Sequence, residues 1–273
     1  MAAREGRDRA RYAQGVFRMP AHWARGPIRV DVIGAGGSGS EVVDALVRLD
    51  YTLHAMGGDG LEIRLWDGDT VSPANVGRQR FLACDVGHNK AEVLAQRYAV
   101  LMGAAITAEP RMFNVEEERS PFHRGDLLIS CVDLAKVRVD IGLAYRDLMT
   151  DLLWMDLGNG PHSGQVVLGH AGAPRGERLP NVLDLYPTLA EVDDSDEPSC
   201  SLEEALRHQR LGVNRFMADA AIFTLLAPLL LEGKIASHGA FVDMAKPSLG
   251  ALRIDAGAWS FLGFEVGARS HAA

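Results

Sequence analysis

Apolar positions along the chain form short runs that alternate with longer segments of helical spacing. Runs bounded by glycine and polar turns are typical of buried strands, and the amphipathic segments between them are typical of crossover helices. We therefore predict an α/β fold that is Rossmann-like, with a mostly parallel sheet and flanking helices. The predicted strands are 28–33, 61–67, 105–113, 126–132 and 152–156, and the predicted helices are 38–50, 89–102 and 137–149.

The pattern changes after Gly158. A further strand is predicted over 165–169, followed by a long connection, a helix over 201–231, and a hairpin of 240–244 and 251–255 joined across 246–250. The hairpin would give the sheet a C-terminal antiparallel extension. We divide the chain into an N-terminal extension (1–27), a nucleotide-binding Rossmann-like core (28–160), and a C-terminal part of the same domain (161–273) with a crossover loop at 170–200.

Composition narrows the class of protein. The 273 residues are 47% hydrophobic and 23% charged, which is ordinary for a soluble globular enzyme. The net charge of −8 argues against a nucleic-acid-binding surface. Three widely separated cysteines give neither a disulfide framework nor a paired-cysteine zinc signature. The start lacks an apolar signal core and the apolar stretch 220–231 is short for a membrane span, so we expect a cytoplasmic protein that binds no membrane.

A glycine turn follows the first predicted strand. Gly34 permits the turn, Gly36 lets the backbone approach a phosphate, and Gly39 lets the helix pack closely on the strand. The exposed N–H groups and the helix dipole then favour an anion. The turn predicts a bound nucleotide without saying which one, and a glycine fingerprint by itself most often indicates a dinucleotide-binding enzyme.

Polar residues after the second strand make the prediction more specific. Asp67 ends that strand, where an acidic residue suits ribose hydroxyls. A dehydrogenase needs no cations beside the ribose, whereas an enzyme that handles a triphosphate does, because charge develops on the phosphates during transfer. The sequence therefore favours ATP. The residues concerned are Asn75, Arg78, Gln79 and Lys90.

Here the chain resembles the ThiF/MoeB family of ubiquitin-like-protein activating enzymes. The resemblance covers about 28–160 well and the remainder loosely. Within the family, 68–79 and the later Pro198-Ser-Cys-Ser201 look most like the ThiF-type proteins of PRTRC plasmid systems, whose gene sets are similar to mobile-element operons that also encode a ubiquitin-like small protein. The carrying motifs are Gly34-Ala-Gly-Gly-Ser-Gly39, Asp67-Gly-Asp69-Thr-Val, Asn75-Val-Gly-Arg78-Gln79, Asp85-Val-Gly87 with Lys90, and Cys131-Val-Asp133.

The resemblance implies a reaction and a set of roles. A partner protein's C-terminal carboxylate would attack the α-phosphate of ATP, giving acyl-AMP and pyrophosphate. Mg²⁺ prefers carboxylates and phosphate oxygens, and phosphoryl transfer depends largely on positioning and charge neutralisation, so this chemistry fits the residues. Gly36 and Gly37 would bind phosphates through their backbone. Asp67 would hold the ribose, with Asp69 as a supporting or turn residue. Phosphates would also be bound by Asn75, Arg78 and Lys90 with support from Gln79, and Asp133 would place Mg²⁺.

Each role has a plainer alternative. Arg78 and Lys90 could be surface charges, and Asp133 could simply cap the helix that follows it. Cys84 and Cys131 are expected to be buried packing residues. Cys200 precedes a capping-box match, and a helix N-terminus favours the thiolate.

Relatives use a cysteine in this region to form a thioester or persulfide-type link with the carrier protein. The acidic run over 191–197 opposes a thiolate, so a catalytic and a structural role for Cys200 both stay open.

The chain also departs from the family pattern. It lacks the paired zinc cysteines of many relatives, and it lacks the N-terminal arginine motif that reaches a partner subunit, for which Arg18 and Arg25 are the candidate substitutes. The resemblance still favours a homodimer. Two other functions stay open: an NAD-dependent oxidoreductase that uses the glycine turn and Asp67, and a non-catalytic nucleotide-binding scaffold of a plasmid-maintenance system.

Overall fold

The computed structural model of this chain describes residue 12 and residues 15–118, 126–192 and 209–266. Its strands are β1 (Phe17–Arg18), β2 (Ile28–Ile33), β3 (Leu61–Trp66), β4 (Ile106–Glu109), β5 (Leu127–Ser130), β6 (Leu153–Asn159), β7 (Ser163–His170), β8 (Lys234–Ile235), β9 (Ser237–Asp243) and β10 (Ser248–Arg253). Its helices are α1 (Gly37–Ala55), α2 (Lys90–Met102), α3 (Val115–Glu118), α4 (Ala135–Tyr145), α5 (Val182–Leu185), α6 (Val213–Leu231, π-helical over Ile222–Leu226) and α7 (Ala256–Phe261). Short 3-10 turns occupy Ala21–Ala24, Pro73–Asn75, Ala83–Asp85 and Pro187–Glu191.

The described residues form one sheet of eight strands in the order β10-β9-β7-β6-β5-β2-β3-β4, and β1 pairs separately with β8. The five strands from β6 to β4 run parallel to their neighbours. β7, β9 and β10 continue the sheet in antiparallel pairs. The predicted fold class, a Rossmann-like sheet with an antiparallel extension, is confirmed.

The strand order places the functional edge of the sheet. β2 pairs with β3 on one side and with β5 on the other. The chain therefore adds β3 and β4 on one side of β2 and then crosses over to add β5 and β6 on the other. Ligands of open α/β sheets bind outside the carboxyl ends of the strands at such a switch point. The segments that begin at Gly34 and Cys131 leave the sheet there.

The core lies on both faces of the parallel strands. Val32, Leu65 and Ile129 are fully buried, as the continuous apolar runs predict. Helix α6 packs against α1 and against β6, β7 and β9. By length and composition alone α6 could cross a membrane, but 61% of its most apolar window is buried within the protein, as in a core helix.

Several element boundaries differ from the prediction. α1 continues past residue 50 to Ala55, and α4 spans Ala135–Tyr145 rather than 137–149. The predicted strand 105–113 is too long, because β4 ends at Glu109 before Pro110, which has no N–H to donate to a ladder. The strands predicted over 152–156 and 165–169 exist and are longer.

The predicted C-terminal helix and hairpin are present, but their boundaries differ from the prediction. The hairpin of β9 and β10 pairs Asp243 with Ser248, which leaves a connection of 244–247. The helix predicted over 201–231 begins only at Val213 in the described residues, since Gly212 adopts φ +94° and the N–H of Arg210 bonds the carbonyl of Pro161. The first part of that prediction lies outside the described residues.

Candidate functional site

The glycine turn brings three segments into close contact. Gly34 has φ +91°, a left-handed conformation that favours glycine, and its N–H donates to the Trp66 carbonyl at 2.8 Å. A Cβ on Gly39 would lie 1.8 Å from the carbonyl oxygen of Gly34. A Cβ on Gly34 would lie 2.8 Å from the carbonyl oxygen of Cys131. The start of α1 is therefore pressed against the ends of β2 and β5, as expected for such a turn.

The first turn of α1 is open to a ligand. Gly36 is the N-cap residue, and a Cβ added there would meet no atom within 4 Å. The first N–H groups of a helix have no intrahelical partner, and the helix dipole adds a partial positive charge at this end. An anion can approach the backbone at Gly36 and Gly37 without steric obstruction from a side chain at position 36.

Asp67 joins the end of β3 to the glycine turn. Its Oδ2 accepts a hydrogen bond from the N–H of Ala35 at 2.6 Å, and its Oδ1 accepts one from the N–H of Asp69 at 2.8 Å. Burial raises the pKa of Asp67, while these two N–H groups and the charge of Lys90 oppose the rise. Because each carboxylate oxygen has a second lone pair, the group can hold the turn and still accept ribose hydroxyls.

Lys90 is a buried cation at the same edge of the sheet. Its side chain is only 11% exposed, and its Nζ lies 2.9 Å from Oδ2 of Asp69. Asn89 caps α2 by accepting from the N–H of Glu92, and its amide donates to the carbonyls of Asp67 and Asp69. Lys90 is thus not the surface charge of the plainer alternative. The loop after β3 fixes it beside Asp67.

The Asn75–Gln79 segment presents polar atoms without protein partners. Oδ1 of Asn75 accepts from the N–H of Ser72 at 2.8 Å and closes a 3-10 turn. Nε of Arg78 and Oε1 of Gln79 are buried and have no hydrogen-bond partner among the described residues. A buried polar atom left in this state costs about 1–3 kcal/mol. Atoms of this kind in a functional cleft are candidates to bind a ligand.

The end of β5 carries Cys131 and Asp133. Cys131 is buried as expected, and burial raises the pKa of its thiol, which makes it inert. Asp133 is exposed. The N-cap residue of α4 is Leu134 and not Asp133, so the alternative that Asp133 occupies the N-cap position is wrong.

The side chains near the glycine turn limit the kind of Mg²⁺ site that this protein could form. Within the described ranges, no group of three or more His, Cys, Asp or Glu side chains could form a protein cage for a metal ion. Mg²⁺ that is bound through one or two carboxylates plus substrate phosphates needs no such cage. Asp133 fits that second kind of site, because it lies exposed at the carboxyl end of β5 next to the glycine turn.

Sequence reasoning missed a buried ion pair behind this loop. Nε of Arg138 lies 3.0 Å from Oδ1 of Asp156, and Nη2 donates to the carbonyl of Val132 at 2.7 Å. Asp156 also accepts from the hydroxyl of Ser130. Burial raises the pKa of Asp156, and the Arg138 guanidinium opposes the rise. The pair fixes Val132 and therefore the start of the loop that carries Asp133. Arg138 and Asp156 lie on different elements, so no sequence motif marks the pair.

Two further sets of side chains border the glycine turn and carry no sequence motif. Arg80, directly after Gln79, donates to Glu41 on α1. Asn214 on α6 accepts from the hydroxyl of Ser38 at 3.2 Å. Both contacts cross between elements, so only the packing of the helices reveals them.

The remaining predicted residues are placed differently. Cys84 is exposed, and its expected burial is wrong, because it lies in the outward-facing turn Ala83–Asp85. Arg18 and Arg25 are exposed on the surface. Cys200 lies outside the described residues, as do most of the acidic run and the predicted capping box.

Comparison with known proteins adds a family and a set of similar folds. The model of the ThiF family matches residues 26–205. No curated protein sequence matches the chain. Among solved structures, E. coli MccB with AMPCPP and MccA has a TM-score of 0.56 at 14% identity, and the match covers 84% of this chain and 64% of that chain.

Two other solved structures give similar values. E. coli MccB with ATP has a TM-score of 0.51 at 16% identity, with 84% of this chain and 64% of that chain covered. PaaA has a TM-score of 0.54 at 14% identity, with 83% and 64% covered. This chain therefore spans less than two thirds of the length of these proteins, and likeness at such identities shows the fold alone.

Proposed function

Because the chain belongs to the ThiF family, we propose that it is an ATP-dependent adenylyltransferase that activates the C-terminal carboxylate of a small protein. One observation carries the proposal: cationic side chains border an open helix N-terminus. Lys90 is buried beside Asp67, and Nε of Arg78 is buried without a partner among the described residues. The N–H of Arg80 bonds Oγ of Ser40, which keeps Arg78 close to the first turns of α1.

The residues divide the reaction between them. The backbone at Gly36 and Gly37 binds phosphate oxygens, and Asp67 binds the ribose. Asn75, Arg78 and Lys90 neutralise charge on the polyphosphate as the carboxylate attacks the α-phosphate and pyrophosphate leaves, with Gln79 in support. Asp133 holds Mg²⁺ together with the phosphates, and the ion supplies further charge neutralisation when bound.

A cleft beside the site supports a slender protein substrate. It has a volume of about 520 Å³ and is lined by residues of β6, β7 and the β9–β10 hairpin, four of them glycines: Gly158, Gly160, Gly164 and Gly250. Gly158 and Gly160 flank Asn159, whose amide donates to Oγ of Ser38 in the first turn of α1. A narrow extended chain in the cleft would end near the phosphates, which suits the C-terminal tail of a ubiquitin-like protein.

The finer parts of the proposal rest on the resemblance of the sequence. The partner is a ubiquitin-like protein from a PRTRC-type plasmid system, and the enzyme is a cytoplasmic homodimer. The thiolate of Cys200 attacks the carbonyl of the acyl-AMP, so that a thioester forms and AMP leaves. One of the structural neighbours holds MccB together with MccA and AMPCPP. For this chain we likewise propose a complex with a nucleotide and a small protein.

The test is ATP–pyrophosphate exchange with a candidate ubiquitin-like small protein of a PRTRC-type system. Exchange should require the partner's free C-terminus, and Lys90→Ala should lower it by about 100-fold, because one charge-stabilising group is lost. Lys136→Ala is the matched control, since Lys136 is an exposed lysine paired with Asp140 on α4.

Other outcomes would contradict the proposal. Undiminished exchange by Lys90→Ala would remove Lys90 from the reaction. Binding of NADH without binding of ATP would favour an oxidoreductase, and binding of ATP without any exchange would favour a scaffold. Mass spectrometry after incubation with ATP and the partner tests Cys200, where an adduct on another residue would exclude Cys200 as the acceptor.

A further inference from the structure

The carboxamide of Asn214 lies directly against the first turn of α1. Asn214 is the second residue of α6, and its side chain is buried. A Cβ placed on Gly37 would lie 2.2 Å from Nδ2 of Asn214. The glycine at position 37 therefore makes room for this amide, in addition to any role towards a phosphate.

Asn214 joins three elements through hydrogen bonds. Its Oδ1 accepts from the hydroxyl of Ser38 at 3.2 Å and from the amide of Asn159 at the end of β6. Its Nδ2 donates to Oε1 of Gln209 at 3.0 Å. The amide of Asn159 also reaches Oγ of Ser38 at 3.2 Å. Every polar atom of the Asn214 carboxamide thus has a partner, as a buried amide requires.

This contact fixes a turn that glycine would otherwise leave free. Gly36 and Gly37 have no side chains to restrain the backbone, and glycine has more conformational freedom than any other residue. The same backbone carries the N–H groups that would face a phosphate. A rigid neighbour that bonds Ser38 and packs on Gly37 holds those N–H groups in one orientation before a ligand arrives.

We propose that Asn214 is a positioning residue for the ATP phosphates, acting through Ser38 and Gly37 on the first turn of α1. The inference deepens the proposed function and rests on it. Asn214 itself makes no contact with the nucleotide in this proposal. Its contribution should therefore depend on the phosphates of a ligand and not on its base or sugar.

Calorimetric titration with ATP, ADP and adenosine tests this dependence. Asn214→Asp keeps the shape and the acceptor oxygen that faces Ser38 and Asn159, but it replaces the Nδ2 donor to Gln209 with an oxygen and adds a negative charge next to the turn. It should weaken ATP binding by about tenfold or more, weaken ADP binding less, and leave adenosine binding unchanged, because Coulomb repulsion grows with the charge of the ligand. Asn214→Ala, which only removes the contacts, should weaken ATP binding about fivefold without affecting adenosine.

Asn181→Asp is the matched control. Asn181 is an equally buried amide that caps α5 and donates to the carbonyl of His170. His170 pairs with Leu153 at the amino end of β6, the opposite edge of the sheet from the glycine turn. Asn181→Asp makes the same chemical change and can lower the folding stability in the same way. Because Asn181 lies far from the glycine turn, the affinity for all three ligands should stay as in the wild type.

Three outcomes would overturn the inference. Equal losses for ATP and adenosine in Asn214→Asp would show a general structural role. Unchanged ATP binding in both Asn214 variants would show that the contact does not matter to the phosphates. A wild-type chain that binds adenosine but gains nothing from added phosphates, or binds no ATP, would overturn the proposed function and this inference with it.

Discussion

Arg80 is bound to Glu41 by two nitrogens of its guanidinium, since Nε and Nη2 each lie 2.7 Å from Oε2 of the carboxylate. Nη2 also lies 3.2 Å from Asp44 one turn further along α1. The backbone N–H of Arg80 bonds Oγ of Ser40, and Arg97 on α2 donates to its carbonyl. Arg80 therefore attaches the segment that carries Arg78 and Gln79 to both α1 and α2.

Replacing Arg80 should impair adenylation without removing a ligand contact. In Arg80→Ala, Glu41 and Asp44 lose a partly buried partner, and the Arg78 segment loses its side-chain attachment to α1 and keeps only the backbone bond to Ser40. We expect the rate of ATP–pyrophosphate exchange to fall by about tenfold or more, since small misplacements of charge-stabilising groups are costly. Exchange kinetics together with thermal unfolding measure the two effects.

Arg48→Ala is the control for the Arg80 variant. Arg48 pairs with the same Asp44 across one helical turn, with Nε at 3.0 Å from Oδ2. Burial opposes ionisation of Asp44, but hydrogen bonds from Arg48 and Tyr98 keep its pKa below the usual value. Loss of Arg48 should leave the exchange rate near that of the wild type. An equal fall of the exchange rate in both variants would show that the effect comes only from the loss of a cationic partner of Asp44.

Two glycines of the turn should respond in opposite ways to alanine. Gly39→Ala places a methyl group 1.8 Å from the carbonyl of Gly34, so the backbone must move. We expect a loss of about 3 kcal/mol in the free energy of unfolding, and a Tm lower by roughly 6 °C or more.

Gly36→Ala should cost little stability and lose ligand binding. A Cβ at Gly36 meets no protein atom within 4 Å, but alanine is a poorer N-cap than glycine, so the free energy of unfolding should fall by about 1 kcal/mol, much less than for Gly39→Ala. The methyl group stands where a phosphate would approach the backbone, and ATP affinity should fall by about tenfold. Calorimetric titration and thermal unfolding compare the two variants. A stable Gly39→Ala chain would contradict the packing described at the turn.

Asp133→Asn tests the proposed Mg²⁺ site. Asp133 is exposed and does not cap α4, so the substitution should leave the Tm unchanged. The Mg²⁺ concentration that gives half-maximal exchange should rise by about tenfold, because a charged oxygen ligand is lost. Asp140→Asn, at a half-buried aspartate on α4 that pairs with Lys136, is the control. A Mg²⁺ dependence that Asp133→Asn does not shift would place the ion on other ligands.

Two buried histidines should make the fold sensitive to mild acid. Burial lowers the pKa of His238 and of His170 to about 4. Nε2 of His238 accepts from the indole N–H of Trp259 at 2.7 Å, and its Nδ1 lies 2.8 Å from the carbonyl of Leu168, which suits the neutral ring.

The sign of the pH effect follows from the direction of these shifts. The unfolded chain takes up a proton near pH 6.5, whereas the folded chain does so only near pH 4. Stability is therefore complete above pH 6.5 and falls as the pH drops towards 4, by roughly 2 kcal/mol per histidine between pH 7 and pH 5. Denaturant unfolding of His238→Gln should show a smaller fall than the wild type. His88→Gln, at an exposed histidine, should show the full fall.

The parallel core could be predicted because its signals are local. The apolar run of β2, the glycines that follow it and the helical spacing of α1 lie within about 30 consecutive residues, and each restricts its own backbone. The candidate site could be predicted in part for the same reason, as Asp67 and Lys90 lie at the two ends of the connection between β3 and α2. The boundaries failed where a distant contact decided them, as at Gly212, where Arg210 bonds the β6–β7 connection.

The sequence by itself determined a strand, a glycine turn, a helix and a following group of polar residues, and these predict a nucleotide site at the carboxyl end of the strands. The tertiary structure alone decided which side chains hold that site in place. Glu41 and Arg80 are 39 residues apart, and Ser38 and Asn214 are 176 apart. Hydrogen bonds and ion pairs between elements leave no periodic pattern in a sequence, because their partners meet only after the helices have packed on the sheet.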